Sequence, residues 1–162
     1  QSCSKTYAMT GWRIGYTAGN KQVIKAMGKL QGQSTSCPNS IAQTAAIEAL
    51  TGDQSEVSQM RNVFKKRRDY IVGRLNNMVG VNCDTPGGAF YVFPDFSSYM
   101  GIDYKIKSSN DLSMYLLEQK AVVTVAGIAF GSDSNVRFSY AASEDDLKRA
   151  MDLVEESLTE LK

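Results

Sequence analysis

Apolar residues recur at every third or fourth position along most of this chain and at every second position in a few short stretches. In "GNKQVIKAMGKLQGQ" (19–33), Val23, Ile24, Met27 and Leu30 keep helical spacing. In "CPNSIAQTAAIEAL" (37–50), Ile41, Ala45 and Leu50 do the same behind an early proline, so two helices are predicted. "TGDQS" (51–55) reads as a turn. A long amphipathic helix follows, with Val57, Met60, Val63, Phe64, Ile71, Leu75 and Met78 on one face.

From residue 80 the period shortens. "VNC" (81–83) and "GAFYVFP" (88–94) read as short strands around the "DTPGG" turn, "AVVTVAG" (121–127) as a buried strand, and "NVRFSYA" (135–141) as an alternating one. Between them "SSNDLSMYLLEQK" (108–120) reads as a helix. Ser143 caps a last helix in which Leu147, Met151, Val154, Leu158 and Leu161 keep the helical period, while Glu144, Asp145 and Asp146 suit its positive N-terminus. The order helix, strands, helix, strands, helix predicts an α+β layer of about 100 residues, a small antiparallel or mixed sheet covered by helices. Residues 1–50 look like the tail of another domain, with 51–162 as the second.

Composition narrows the chemistry. The chain has 162 residues, 43% of them hydrophobic and 22% charged, which is a globular balance. With 18 basic and 17 acidic residues there is no net field to draw in nucleic acid or an anionic membrane, and no apolar run approaches the ~20 residues that span a bilayer. The basic run "KKRR" (65–68) reads as a solvated helix face. Cys3, Cys37 and Cys83 are widely spaced and odd in number, which favours a reducing, cytoplasmic setting. Histidine is absent, so the usual metal ligands and every Ser-His or Cys-His nucleophile pair are missing. No metal site is expected. Catalysis would have to use lysine, arginine, tyrosine or a cofactor.

The segment "SKTYAMTGWRIGY" (4–16) concentrates such groups. Lys5 lies among small polar residues, and Arg13 in a glycine-flanked turn. A loop lysine is ordinarily a solvated charge. The alternative is a Schiff-base lysine, whose ordinary pKa of ~10.4 must fall through desolvation or a nearby cation such as Arg13. A guanidinium in such a turn also suits a phosphate, assisted by a hydroxyl such as Ser2. In "NVRFSYA", alternation puts Val136, Phe138 and Tyr140 on one face and Arg137 on the other. Arg137 thus reads either as a sheet-surface ion pair or as a bidentate carboxylate clamp.

"SCSKTYAMTGWRIGY" (2–16) closely resembles the cofactor-lysine segment of class I, fold type I pyridoxal-phosphate aminotransferases, in particular the bacterial aspartate aminotransferase branch. The resemblance continues in order through "QSTSCPNSIAQTAAIEAL", "PGGAFYVFP", "AVVTVAGIAFG" and "NVRFSYAAS", and covers essentially the whole chain. It implies the end of a PLP-binding large domain (1–50) and a C-terminal small domain (51–162), together α/β to α+β. Lys5 would form the Schiff base with pyridoxal 5'-phosphate, Ser2 and Arg13 would hold the cofactor phosphate, Arg137 would bind the substrate α-carboxylate, and Phe90 would approach the substrate. The implied reaction moves an amino group from an L-amino acid, aspartate by family, to a 2-oxo acid. The stretch from Gln31 to Ser40 resembles one that reaches the neighbouring subunit in the family's homodimers, although Cys37 stands where asparagine is usual.

A PLP-dependent lyase on the same fold would share Lys5, Arg13 and Arg137. An aminotransferase-like sensor domain of a transcription regulator is a third reading. In the family, the carboxylate facing the pyridine nitrogen, the ring-stacking aromatic and a phosphate-binding glycine loop precede the lysine. The chain is therefore expected to be the C-terminal fragment of a longer enzyme, inactive alone, with weak cofactor affinity and an apolar face that promotes self-association.

Overall fold

The computed structural model describes residues 1–101 and 105–161. It divides the chain into two compact units, Gln1–Arg61 and Asn62–Lys162. The division falls inside a helix.

The first unit contains α1 (Cys3–Thr6), α2 (Lys21–Ser34), α3 (Ser40–Thr51) and the start of α4 (Ser55–Asn77). Asparagines set where α2 and α3 begin. Asn20 Oδ1 accepts from Gln22 N–H at 2.9 Å, and Asn39 Oδ1 accepts from Ile41 N–H at 2.8 Å, satisfying amides that have no partner within the helix. The helices lie where the periodicity puts them, yet Val23, Met27, Leu30, Ile41, Ile47 and Leu50 are all exposed. Spacing reports which residues share a face and is silent on what covers it. The small core of this unit is Cys3, Met9 and Ala46, with Tyr7, Ile14, Ala45 and Ala49 packed around it.

In the second unit three strands, β1 (Tyr91–Val92), β2 (Val125–Ala126) and β3 (Val136–Ser139), form an antiparallel sheet in the order β1-β3-β2. Tyr91 pairs with Ser139 and Val92 with Phe138 on one side of β3, and Val125 pairs with Arg137 on the other. Val92, Val136 and Phe138 are buried in one core with Ile71 and Leu75 of α4, Leu112 and Leu116 of α5 (Ser109–Lys120), and Leu147, Met151, Val154 and Leu158 of α6 (Glu144–Glu160). Polar links join the helices at the rim. Arg74 reaches Asp152 at 2.7 Å and Glu155 at 3.0 Å, and Lys120 donates to Glu156 and Glu160, both at 2.8 Å.

Two strand expectations are corrected. "AVVTVAG" is not a buried strand: only Val125 and Ala126 pair, and Val123 is 78% exposed. Ala121 ends α5 in the left-handed region, and the chain emerges at the sheet edge, where one side faces solvent. "VNC" forms no strand either; Asn82 makes an isolated bridge to Asp95. Val81 and Cys83 are buried all the same, so their alternation reflects burial without a ladder.

Candidate functional site

Residues 1–16 form a closed loop. Cys3 N–H donates to the Ile14 carbonyl at 3.3 Å, Tyr16 N–H to the Gln1 carbonyl at 2.9 Å, and the Gln1 nitrogen to the Tyr16 carbonyl at 2.8 Å, bringing Ser2 opposite Gly15. The approach requires a glycine at 15, where an added Cβ would meet the Gln1 carbonyl oxygen at 2.7 Å. Cys3, Met9 and Ile14 turn inward onto Ala45, Ala46 and Ala49 of α3, and Tyr7 Oη donates to Gln54 Oε1 at 3.3 Å. The apolar half of the motif anchors the loop, while Ser2, Lys5 and Arg13 are each exposed.

Ser2 caps α1, its Oγ accepting from Ser4 N–H at 3.2 Å, which leaves the hydroxyl proton available to an acceptor. Lys5 lies within α1. Arg13 ends a 3-10 turn (Thr10–Trp12) with φ 52° and ψ 48°, a left-handed conformation that is costly for a residue with a Cβ. One guanidinium nitrogen, Nη1, donates to the Thr10 carbonyl at 2.9 Å and steadies the side chain over its own turn. An amine, a hydroxyl and a guanidinium thus share one loop, a donor set that suits an aldehyde carrying a phosphate.

Arg137 and Phe90 belong to the second unit. β3 alternates as predicted, with Val136 and Phe138 buried, Arg137 half-buried and Ser139 exposed. Neither of the two sequence readings of Arg137 anticipated its neighbours. Its guanidinium carbon lies 4.3 Å from the Tyr91 ring centre and 4.6 Å from that of Phe130, and among the described residues no carboxylate pairs with it. Phe90 is half-buried against the core, its ring 4.4 Å from that of Tyr91 and 6.3 Å from that of Phe64. The alternation of "GAFYV" could have found Tyr91, since it sits opposite in phase to buried Val92. Phe130 lies in a 3-10 turn (Gly127–Phe130) that carries no period to read.

The family profile for aminotransferase class I and II matches residues 1–154. The chain is 48% identical over 151 residues to the aspartate/prephenate aminotransferase of Cereibacter sphaeroides, covering 91% of this chain and 38% of that protein. It is 46% identical over 162 residues to the aspartate aminotransferase of Pinus pinaster, covering 96% and 33% respectively. Among solved structures, the aspartate aminotransferase of Rhizobium meliloti superposes with a TM-score of 0.93 at 42% identity, over 99% of this chain and 41% of that one. The aromatic aminotransferase of Pyrococcus horikoshii gives 0.89 at 37% identity, over 98% and 42%. The chain therefore spans 33% to 42% of the length of these relatives. With the profile running from the loop that carries Lys5 into α6, and with these structures superposing on both units, the chain belongs to the class I and II aminotransferases.

Proposed function

We propose that this chain acts as the C-terminal part of a longer, cytoplasmic, homodimeric aminotransferase, which uses pyridoxal 5'-phosphate to move the amino group of an L-amino acid, aspartate first, to a 2-oxo acid. The observation that carries the reading is the closed loop of residues 1–16, in which Ser2, Lys5 and Arg13 are all exposed.

In this reading the Ser2 hydroxyl and the Arg13 guanidinium hold the cofactor phosphate, and Lys5 Nζ holds its aldehyde carbon. Bound pyridoxal phosphate supplies an electron sink for the pair left at the substrate α-carbon. Displaced by the substrate amine, Lys5 Nζ would take the α-proton and return it to the carbon on the far side of the substrate nitrogen, serving as leaving group, general base and general acid in turn. Arg137 binds the α-carboxylate and fixes which bond at the α-carbon faces the cofactor. Phe90 lines the same substrate, and the stretch Gln31 to Ser40 faces the second subunit.

The test is an absorption titration of the full-length protein carrying this chain, with the chain alone as control. With the cofactor bound, L-aspartate should convert the carbonyl-form band to the amine form in the full-length protein, and the chain alone should hold the cofactor weakly or not at all. A band indifferent to aspartate but responsive to another amino acid would change the substrate. No cofactor band in the full-length protein would remove the enzyme reading.

A further inference from the structure

We propose that Tyr91 and Phe130 are positioning residues that form an aromatic clamp, holding the Arg137 guanidinium open for the substrate carboxylate; this rests on the reading of Arg137 as the carboxylate-binding residue. A half-buried arginine loses hydration and needs compensation. At Arg68 and Arg74 carboxylates supply it: Arg68 has Asp69 at 2.7 Å, and Arg74 has Asp152 at 2.7 Å and Glu155 at 3.0 Å. At Arg137 two rings do so instead, at 4.3 and 4.6 Å, and among the described residues no hydrogen bond or ion pair engages the guanidinium. Ring faces stabilise the cation through their quadrupole without supplying the oxygens that a guanidinium fork pairs with. The fork stays available to a carboxylate that arrives from outside.

Both rings are held in place. They reach Arg137 from opposite flanks of β3. Tyr91 is in β1, paired with Ser139, and its ring packs on Phe90 at 4.4 Å. Phe130 follows β2 and meets the Phe93 ring edge-on at 5.9 Å. The turn that carries Phe130 is fixed in turn: Gly127 N–H donates to the Asn135 carbonyl at 2.9 Å, and Ile128 N–H to the buried Ser109 Oγ at 3.1 Å. Ser109 Oγ itself donates to Asp133 Oδ1 at 2.7 Å. The long arginine side chain is thereby ordered before substrate arrives, which lowers the entropic cost of binding.

The test compares Phe130→Leu, Tyr91→Leu, the ring-preserving Phe130→Tyr and Tyr91→Phe, and Arg137→Lys in the full-length holoenzyme. The leucine variants should raise KM for both amino acid and 2-oxo acid about tenfold with kcat changed less than about twofold, the scale of one cation–π contact. The ring-preserving variants should behave as wild type. In 15N-labelled protein, the Arg137 Nε–Hε resonance should carry a ring-current shift that the leucine variants lose. Phe130 is 49% exposed, so Phe130→Leu decides the matter even if Tyr91→Leu fails to fold. Unchanged KM in Phe130→Leu beside a large rise in Arg137→Lys would overturn the clamp and keep the carboxylate reading. Unchanged KM in Arg137→Lys would overturn both.

Discussion

At Lys5 the chemistry of one amine sets the expectation for the whole protein. Lys5→Ala in the full-length enzyme should lower kcat by roughly 10² to 10⁴, the usual worth of a positioned general base, and Lys5→Arg should not restore it. Single-turnover kinetics with L-aspartate would measure this. Cys83 gives a second prediction at this scale. Burial pushes its thiol from the ordinary 9.0 up to about 11. An acid raised on folding favours the folded state below its unfolded pKa, and that contribution is lost as pH rises from 9.0 through about 11. Burial raises the Tyr140 phenol as well, with the same sign. Denaturant midpoints should therefore fall across this window, less steeply in Cys83→Ala than in wild type. Lys5 stood out in the sequence through its motif, whereas the burial of Cys83 did not, because a thiol in a short alternating stretch looks alike inside and outside a core.

At the level of elements, caps and close approaches decide where segments begin and turn. Ser143 Oγ accepts from Asp146 N–H at 3.1 Å and donates to Asp146 Oδ2 at 2.6 Å, closing the first turn of α6. Ser143→Ala should destabilise the protein by ~1 kcal/mol, read as a lower urea midpoint at unchanged slope. Gly127 is held more tightly. A Cβ there would meet the Asn135 carbonyl oxygen at 2.1 Å and the Ser132 carbonyl oxygen at 2.2 Å, both backbone atoms that cannot step aside. Gly127→Ala should cost about 3 kcal/mol and displace the turn carrying Phe130, visible as loss of the Arg137 ring-current shift. The α6 cap was legible because serine followed by three acids is a local signal. The Gly127 constraint was not, because its contacts come from residues further along a turn of no fixed period.

For the whole chain, the exposed apolar face of the first unit has the largest consequence. Trp12, Tyr16, Val23, Met27, Leu30, Ile41, Ile47 and Leu50 are each at least 43% exposed, and large apolar side chains left to water favour association. The isolated chain should self-associate, and sedimentation velocity across a concentration series should show its mean mass rising. A constant monomer mass at every concentration would refute this. Among the described residues no helix is long and apolar enough to cross a membrane. The helix order and the core of the second unit were legible in the sequence. The division of the chain at Arg61, inside α4, was not, because an uninterrupted helical period gives no sign of a boundary.

The sequence alone determined the things that depend on neighbours along the chain: five of the six helices by spacing and caps, the outward turn of Arg137 by alternation, and the gathering of Ser2, Lys5 and Arg13 within one short segment. Tertiary structure decided the things that depend on approach through space. Gly15 meets Gln1 to close the lysine loop, two-residue strands suffice where longer ones were expected, and two rings replace a carboxylate beside Arg137. Periodicity encodes which way a side chain points, while its partner is fixed only when distant segments pack, and that information is carried by no single stretch of residues.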